Sequence, residues 1–190
     1  MAKKRKFVAY RNLERPYTRI SKFKKKSYIR TKPASRIVRF DMGNPQREFE
    51  YQLDLIAGAS IQIRDLAIES ARLTSNRLLE KKLTKTGYRM KLLMFPHHIL
   101  RENPLAAGAG ADRMSTGMKH SFGKVIGIAA QIHEGKPLIR LWVDKEHIVL
   151  GRQALDRARK KLPCGCKIRV QKVSEILPRG VAAPKAPVSA

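Results

Sequence analysis

The chain has 190 residues, of which 43% are hydrophobic, and it carries 41 lysines and arginines against 15 aspartates and glutamates, a formal net charge of +26. This length and apolar share suit one folded domain with extensions, and the charge requires a polyanionic partner, most commonly a nucleic acid. No stretch approaches the roughly 20 apolar residues of a membrane-spanning helix, and no apolar signal core follows the basic start, so we expect a cytoplasmic protein without a membrane partner.

Residues 1–34 form a basic extension in which aromatic side chains are interleaved with cations. A charge run can be a solvated tail, but such a tail has no use for rings, whereas RNA offers bases for stacking and phosphates for cations. We therefore predict that this extension binds RNA and becomes ordered on it. The predicted contacts here and just beyond are Lys3, Lys4, Arg5, Lys6, Arg11, Arg15, Tyr17, Arg19, Lys22, Lys24, Lys25, Lys26, Tyr28, Arg30 and Arg36.

A core domain is predicted over residues 35–173. Its first strand is expected at residues 35–41, followed by a turn at 42–46 that contains glycine and proline. Apolar and polar side chains alternate over residues 49–56, which indicates a half-buried strand. We expect the acidic face of that strand to point away from a polyanion.

The clearest helix is predicted from Ile61 to about Lys82, with Ser60 as its N-cap, because apolar and small residues recur there at three- and four-residue steps. Residues 88–99 are predicted to form one further strand. Pro96 lacks a backbone donor, so this strand must lie at an edge, bulge or bend there.

Residues 106–127 read AAGAGADRMSTGMKHSFGKVIG and contain five glycines, with no helical or strand period. Long loops in compact domains are usually functional or disordered, and glycine lets a backbone approach a partner closely. We predict a functional loop at residues 106–124 that lies against nucleic acid. Its candidate residues are Gly108, Gly110, Asp112, Arg113, Met114, Thr116, Gly117, Met118, Lys119, His120 and Lys124.

Two strands, residues 125–133 and 138–143, are predicted to form a hairpin through the EGKP turn. Trp142, the only tryptophan, is expected to anchor the core. A second amphipathic helix is predicted over residues 145–162, with cations near its C-terminal end that are available to phosphates. The candidate contacts in this part of the chain are Arg157, Lys160 and Lys161.

A last strand is expected at residues 167–173, before a flexible tail at 174–190 that is rich in alanine and proline. The order of elements is typical of an α+β fold, with two helices packed on a mainly antiparallel or mixed sheet.

The histidines that flank the loop raise the question of catalysis. His120 and Asp112 could be written as an acid–base pair, but the chain has no nucleophile motif beside them. Arg113 stands where a dinucleotide-binding fingerprint needs its third glycine. We therefore predict no catalytic residues and no cofactor. His97 and His98 are expected to hydrogen-bond either backbone or RNA at a strand end.

The two cysteines, Cys164 and Cys166, form a CxC pair that closes too small a ring for an ordinary structural disulfide. His133 or His147 could be imagined as further zinc ligands, but no second pair stands at finger-like spacing. We predict no metal site, and a tight turn with small, half-buried thiols.

Charge alone also fits DNA binding or a general nucleic-acid chaperone or compaction protein. The second helix could serve as a recognition helix, but its cations crowd one end and no partner helix stands at the helix-turn-helix distance. Cations that are spread over an extension, helices and loops suit a large folded RNA better than one groove.

The segments FPHHILREN, AGAGADRMSTGMKHSFGKVIGIAAQIHEGKPLI and KEHIVLGRQALDRARKKLP closely resemble the universal large-subunit ribosomal protein family L16, in its archaeal and eukaryotic branch, L10e. The resemblance covers roughly residues 16–170. The AGADR…TGM…FGK loop is specific to that family, whereas PCGC and the last twenty residues depart from its pattern.

The resemblance implies a hammerhead-type α+β domain that bridges large-subunit rRNA helices, with 5S rRNA and other ribosomal proteins nearby. It implies that the loop at residues 106–124 points toward A- and P-site tRNA near the peptidyl transferase centre. The chemistry would belong to rRNA, while the protein positions tRNA; no homo-oligomer is expected.

Overall fold

Two antiparallel sheets and two main helices make up the fold in a computed structural model that describes residues 6–29, 31–102 and 123–176. The strands are β1 (Asp41–Gly43), β2 (Tyr51–Ala57), β3 (Ile61–Arg64), β4 (Arg89–Leu92), β5 (His98–Glu102), β6 (Lys124–Ile132), β7 (Pro137–Val143) and β8 (Cys166–Lys172). The helices are α1 (Asp65–Leu83), α2 (Ile148–Arg159) and the single turn α3 (Val173–Ile176). The predicted α+β class is confirmed.

The first sheet has the strand order β1-β4-β7-β2-β8 and the second the order β3-β6-β5. Leu53, Leu55 and Leu141 are fully buried on one face of the first sheet, in a cluster that includes Ala154 and Ala158 of α2. Because side chains alternate along a strand, the same pleat directs the polar residues of β2, β4, β7 and β8 to the opposite face. That polar face, described below, lies away from α2.

The corner between β2 and β3 is hydrogen-bonded to the corner between β6 and β7. The backbone N–H of Gly135 donates to the Ala57 oxygen at 2.9 Å, and Ala57 donates to the Lys136 oxygen at 3.0 Å. The Ser60 hydroxyl accepts a hydrogen bond from the Glu134 backbone N–H at 3.0 Å. Both chain segments therefore cross from one sheet to the other at this corner.

This corner overturns two predictions. Ser60 is not a helix N-cap, because residues Ile61–Arg64 pair with β6 and the helix begins only at Asp65. The strands β6 and β7 do not form a hairpin, because they belong to different sheets. A turn is present between them, and Gly135 adopts the positive φ of +78° that such a turn requires.

The strand predicted over residues 88–99 is also two strands in different sheets. β4 pairs with β1 and β7, and β5 pairs with β6, with Pro96 in the segment between them. An edge, a bulge or a bend was predicted at this proline, and the structure shows an interruption at which the chain passes from one sheet to the other. The first predicted strand, residues 35–41, was placed too early, because the paired residues are Asp41–Gly43.

Trp142 is half-buried and does not lie in the core, contrary to prediction. Its neighbours Leu141 and Val143 point into the core, so the pleat of β7 directs the indole outward. The second helix is shorter than predicted: residues Lys145–His147 form a 3-10 turn, and α2 begins at Ile148.

Candidate nucleic-acid interface

The basic arm, residues 6–29, lies along the three-stranded sheet and is held there through its own main chain. The carbonyl of Arg11 accepts a hydrogen bond from the Gln62 backbone N–H at 3.0 Å, and the Asn12 carbonyl accepts one from the Gln62 side chain. The Glu14 carbonyl accepts from Gln131 Nε2 at 2.7 Å. Main-chain anchoring leaves the cationic side chains of the arm directed to solvent.

His98 joins the arm to β5 from inside the protein. Its side chain is buried, and Nδ1 accepts a hydrogen bond from the Tyr17 backbone N–H at 3.0 Å. An accepting nitrogen carries no proton, so this contact requires neutral imidazole. Burial lowers the pKa of His98, with Glu14 opposing that shift and His97 and Arg101 adding to it. Of the two roles expected for His98, the structure shows the hydrogen bond to backbone.

Two tyrosines of the arm stack on each other, and an arginine lies over each ring. The rings of Tyr17 and Tyr28 are 6.0 Å apart with an interplanar angle of 10°, and the Tyr17 hydroxyl donates to the Tyr28 carbonyl at 2.7 Å. The guanidinium of Arg101 lies 3.7 Å from the centre of Tyr17, and that of Arg19 lies 5.3 Å from Tyr28. Arg101 was not among the residues predicted from the sequence.

The cations predicted to contact RNA are exposed along the described part of the arm. Around Phe23, which is 57% exposed, Lys22 and Lys26 each place Nζ about 5 Å from the ring centre. The exposed cations of the predicted set are Lys6, Arg11, Arg15, Arg19, Lys22, Lys24, Lys25 and Lys26 in the arm, and Arg36 just beyond it. Four other predicted contacts, Lys3, Lys4, Arg5 and Arg30, lie outside the described residues.

Four predicted contacts lie in other parts of the fold. His97 is exposed beside β5, and its Nδ1 lies 3.1 Å from the Phe95 carbonyl. At the end of α2, Arg157, Lys160 and Lys161 are exposed. Lys160 lies 3.6 Å from Asp156, so its charge is partly offset.

The described residues that flank the predicted loop are paired in the three-stranded sheet. Glu102, the last residue of β5, is paired in register with Lys124, the first residue of β6. Lys124 is exposed at this point. The candidate loop residues Gly108, Gly110, Asp112, Arg113, Met114, Thr116, Gly117, Met118, Lys119 and His120 lie outside the described residues. The sheet therefore fixes the positions of Glu102 and Lys124 relative to each other.

A second cationic surface, not predicted from the sequence, covers the polar face of the five-stranded sheet. The guanidinium of Arg89 lies 4.7 Å from the centre of the Trp142 ring, and that of Arg140 lies 5.9 Å away. We call this surface the sheet face; its outward-pointing cations are Arg89, Lys91, Arg140, Lys167 and Arg169. The alternation of Arg89 and Lys91 with buried methionine and leucine could have indicated this surface from the sequence.

The sheet face also holds the acidic side of the strand predicted over residues 49–56. Asp54 is only 6% exposed and accepts two hydrogen bonds from Arg140, at 2.8 and 3.0 Å, and one from Gln52 at 2.9 Å. The alternation in β2 was therefore predicted, but its polar side is buried among cations rather than solvated.

Within the described ranges, no group of three or more histidine, cysteine, aspartate or glutamate side chains is arranged to hold a metal ion. Among the same residues, no helix is long and apolar enough to cross a membrane. Cys164 is a half-buried free thiol in the turn before β8, and Cys166, the first residue of β8, is a buried free thiol.

The chain matches the family model described as ribosomal protein L16p/L10e over residues 16–169. It is 44% identical over 168 residues to the large ribosomal subunit protein uL16 of Archaeoglobus fulgidus, covering 88% of this chain and 93% of that protein. It is 43% identical to uL16 of Methanococcus maripaludis strain DSM 14266 over 169 residues, with coverages of 88% and 94%. The chain therefore belongs to the ribosomal protein L16p/L10e family, in its archaeal and eukaryotic branch, and is a structural protein rather than an enzyme.

Proposed function

We propose that this protein is a structural constituent of the large ribosomal subunit, where it binds large-subunit rRNA. The observation that carries the proposal is the family match over residues 16–169, which covers the second half of the arm and all but the last few residues of the core domain. The relatives are named as proteins of the large ribosomal subunit. The exposed cations of the arm supply the matching chemistry, because neutralised phosphates release counterions.

In this proposal the arm is a preshaped RNA-binding element. Its main chain is fixed to Gln62 and Gln131, so little backbone entropy has to be lost on binding. Tyr28 is 57% exposed and offers a ring face or edge to a base or ribose. His98 then acts as a positioning residue that holds Tyr17, rather than as an RNA contact. Further ordering of the arm on RNA stays a prediction.

We further propose that residues 106–124 face A- and P-site tRNA, with 5S rRNA and neighbouring ribosomal proteins close to the domain. The pairing of Glu102 with Lys124 supports this, because it places two residues that bracket the glycine-rich segment side by side in the sheet. Arg113 would contact a phosphate through its two-pronged guanidinium, whereas Lys119 and Lys124 would act as point charges.

The test compares the full chain with a variant that lacks residues 108–119, both expressed in an archaeal host. We expect both proteins to sediment with the large subunit at high magnesium concentration. Subunits that contain the variant should be impaired in tRNA-dependent steps, measured as peptide-bond formation with A- and P-site substrates.

Recovery of the full chain only in the soluble fraction would contradict the ribosomal role and favour a chaperone or compaction protein. Wild-type peptide-bond formation in subunits that contain the variant would contradict the role of the loop alone.

A further inference from the structure

The two cysteines of the chain form a close thiol pair where the turn after α2 leads into β8. Their sulfur atoms lie 3.6 Å apart, and the Cys166 sulfur also lies 3.5 Å from the Cys164 carbonyl oxygen. Neither cysteine is in a disulfide. Two free thiols at this distance need only a small local movement to bond, because a sulfur–sulfur bond is about 2.0 Å long.

The segment that carries the pair is fixed to the end of the neighbouring strand β2. The Gly58 backbone N–H donates to the Gly165 carbonyl at 2.8 Å, and Cys166 is paired in register with Ala57. The two sulfur atoms are therefore held together by the fold as well as by their closeness in sequence.

The two thiols differ in access and in acidity. Cys164 is half-buried, whereas Cys166 is only 7% exposed and packs in the core cluster. The hydrogen bond from Cys166 lowers the pKa of Cys164, and the Gly58 backbone N–H adds to that effect against partial burial. The hydrogen bond to Cys164 and burial raise the pKa of Cys166, with Arg159 opposing. The more accessible sulfur is thus the better nucleophile.

We propose that Cys164 and Cys166 form a thiol-oxidation site, at which Cys164 attacks a hydroperoxide and Cys166 then closes a reversible disulfide. The inference stands on this turn alone and does not rest on the proposed ribosomal role. It gives a chemical use to the PCGC segment, to which the proposed ribosomal role assigns none.

Two steps make up the reaction. The Cys164 thiolate attacks one oxygen of the hydroperoxide, the O–O bond breaks, and the leaving alkoxide or hydroxide takes up the proton that Cys164 had released. Cys164 becomes a sulfenic acid, oxidised by two electrons, as the peroxide is reduced. The Cys166 sulfur then attacks the Cys164 sulfur, the S–OH bond breaks, and hydroxide leaves as water with the Cys166 proton.

The test treats the reduced full chain with hydrogen peroxide, alkylates the remaining thiols, and digests the protein with trypsin. Cleavage after Lys161 and Lys167 places both cysteines in one peptide, residues 162–167. We expect this peptide to be unalkylated and lighter than the dithiol by two hydrogen atoms. Dithiothreitol should restore double alkylation.

Three controls distinguish oxidation that depends on the fold from ordinary oxidation of any free thiol. Cys166→Ser should stop at a sulfenic acid on Cys164, detected with dimedone. In Cys164→Ser, the alkylation rate of Cys166 should be at least about fivefold lower than that of Cys164 in the wild type. The urea-unfolded chain should close the bridge more slowly than the native one.

Equal alkylation of both native thiols after peroxide, or bridge closure as fast in urea as in the native protein, would overturn the proposal. So would faster alkylation of Cys166 than of Cys164, or a bridge that forms only between two molecules.

Discussion

His98 shows how one buried side chain controls the position of the arm. Its Nδ1 accepts the Tyr17 backbone N–H, and Tyr17 in turn packs on the small cluster of Ile29, Ile99 and Ile128. Protonation would replace an acceptor by a second donor facing Tyr17. The arm is therefore held most firmly when His98 is neutral.

Acidification should weaken this contact in a defined pH window. The pKa of folded His98 lies below the ordinary value of 6.5, so the unfolded chain binds the proton first as pH falls. The stability from neutral His98 is complete above about pH 6.5 and is lost as pH drops through the lower folded pKa. We expect the urea concentration at which half of the wild-type protein is unfolded to decrease as the pH is lowered from about 7 to about 5.

His98→Gln should have a lower urea midpoint at neutral pH and should lose this part of the pH dependence. His97→Gln is the matched control, because His97 is exposed and lies next to His98 in sequence. An unchanged pH profile in His98→Gln would show that another group titrates.

At the scale of elements, glycine at the end of β1 lets β1 and β4 approach. Gly43 has a φ of +83°, and a Cβ atom there would lie 2.1 Å from the Tyr88 carbonyl oxygen. Gly135 has a similar φ of +78°, but nothing lies within 4 Å of its Cβ position. Comparing substitutions at these two glycines therefore separates the free-energy cost of a positive φ from the cost of a steric clash.

Gly43→Ala should lower the free energy of unfolding by about 3 kcal/mol or more, since strain and overpacking both act there. Gly135→Ala should cost only about 1 kcal/mol, because only the backbone conformation is unfavourable. Urea unfolding of both variants measures the difference. Equal losses would mean that β1 moves away from β4 to relieve the clash.

The elements also show what the sequence could and could not predict. Alternation correctly indicated β2, because Leu53 and Leu55 face a large core. The segment from Ile61 to Arg64 was predicted to be helical because its apolar residues fit the helical stripe as well as a strand of four residues. The strand conformation accompanies a hydrogen-bonded corner with residues 133–136. This contact is distant in sequence, so the local pattern of apolar residues cannot reveal it.

The sequence predicted those residues of the candidate interface whose exposure follows from their charge. It did not predict those whose environment depends on which strands pair. The lysines of the arm are exposed as their composition suggests, since desolvating a cation is costly. Arg140 is a different case, because its charge is offset by Asp54 across β2 and β7. Only the strand order reveals that partner, and it also explains why Trp142 lies between arginines.

At the scale of the whole molecule, the positive charge is distributed over distinct surfaces. The arm has Lys24–Lys26 as a turn of three exposed lysines. The sheet face carries cations that partly bridge to acids, and α1 ends with exposed Lys81 and Lys82. If binding were driven by total charge alone, all these cations would contribute alike. A specific ribosomal interface requires that they do not.

Salt dependence distinguishes these cases. Replacing Lys24, Lys25 and Lys26 by alanine should make the log–log slope of affinity for a large-subunit rRNA transcript against salt shallower by about 2, because each lost phosphate contact contributes roughly 0.7 to 0.9. The control replaces Lys81 and Lys82, which lie outside the proposed interface, and should leave the slope nearly unchanged. Equal slope changes per lysine in both variants would indicate binding by net charge, as in a compaction protein, and would contradict a docked arm. Unchanged slopes in both would place the phosphate contacts on other cations and remove these three lysines from the interface.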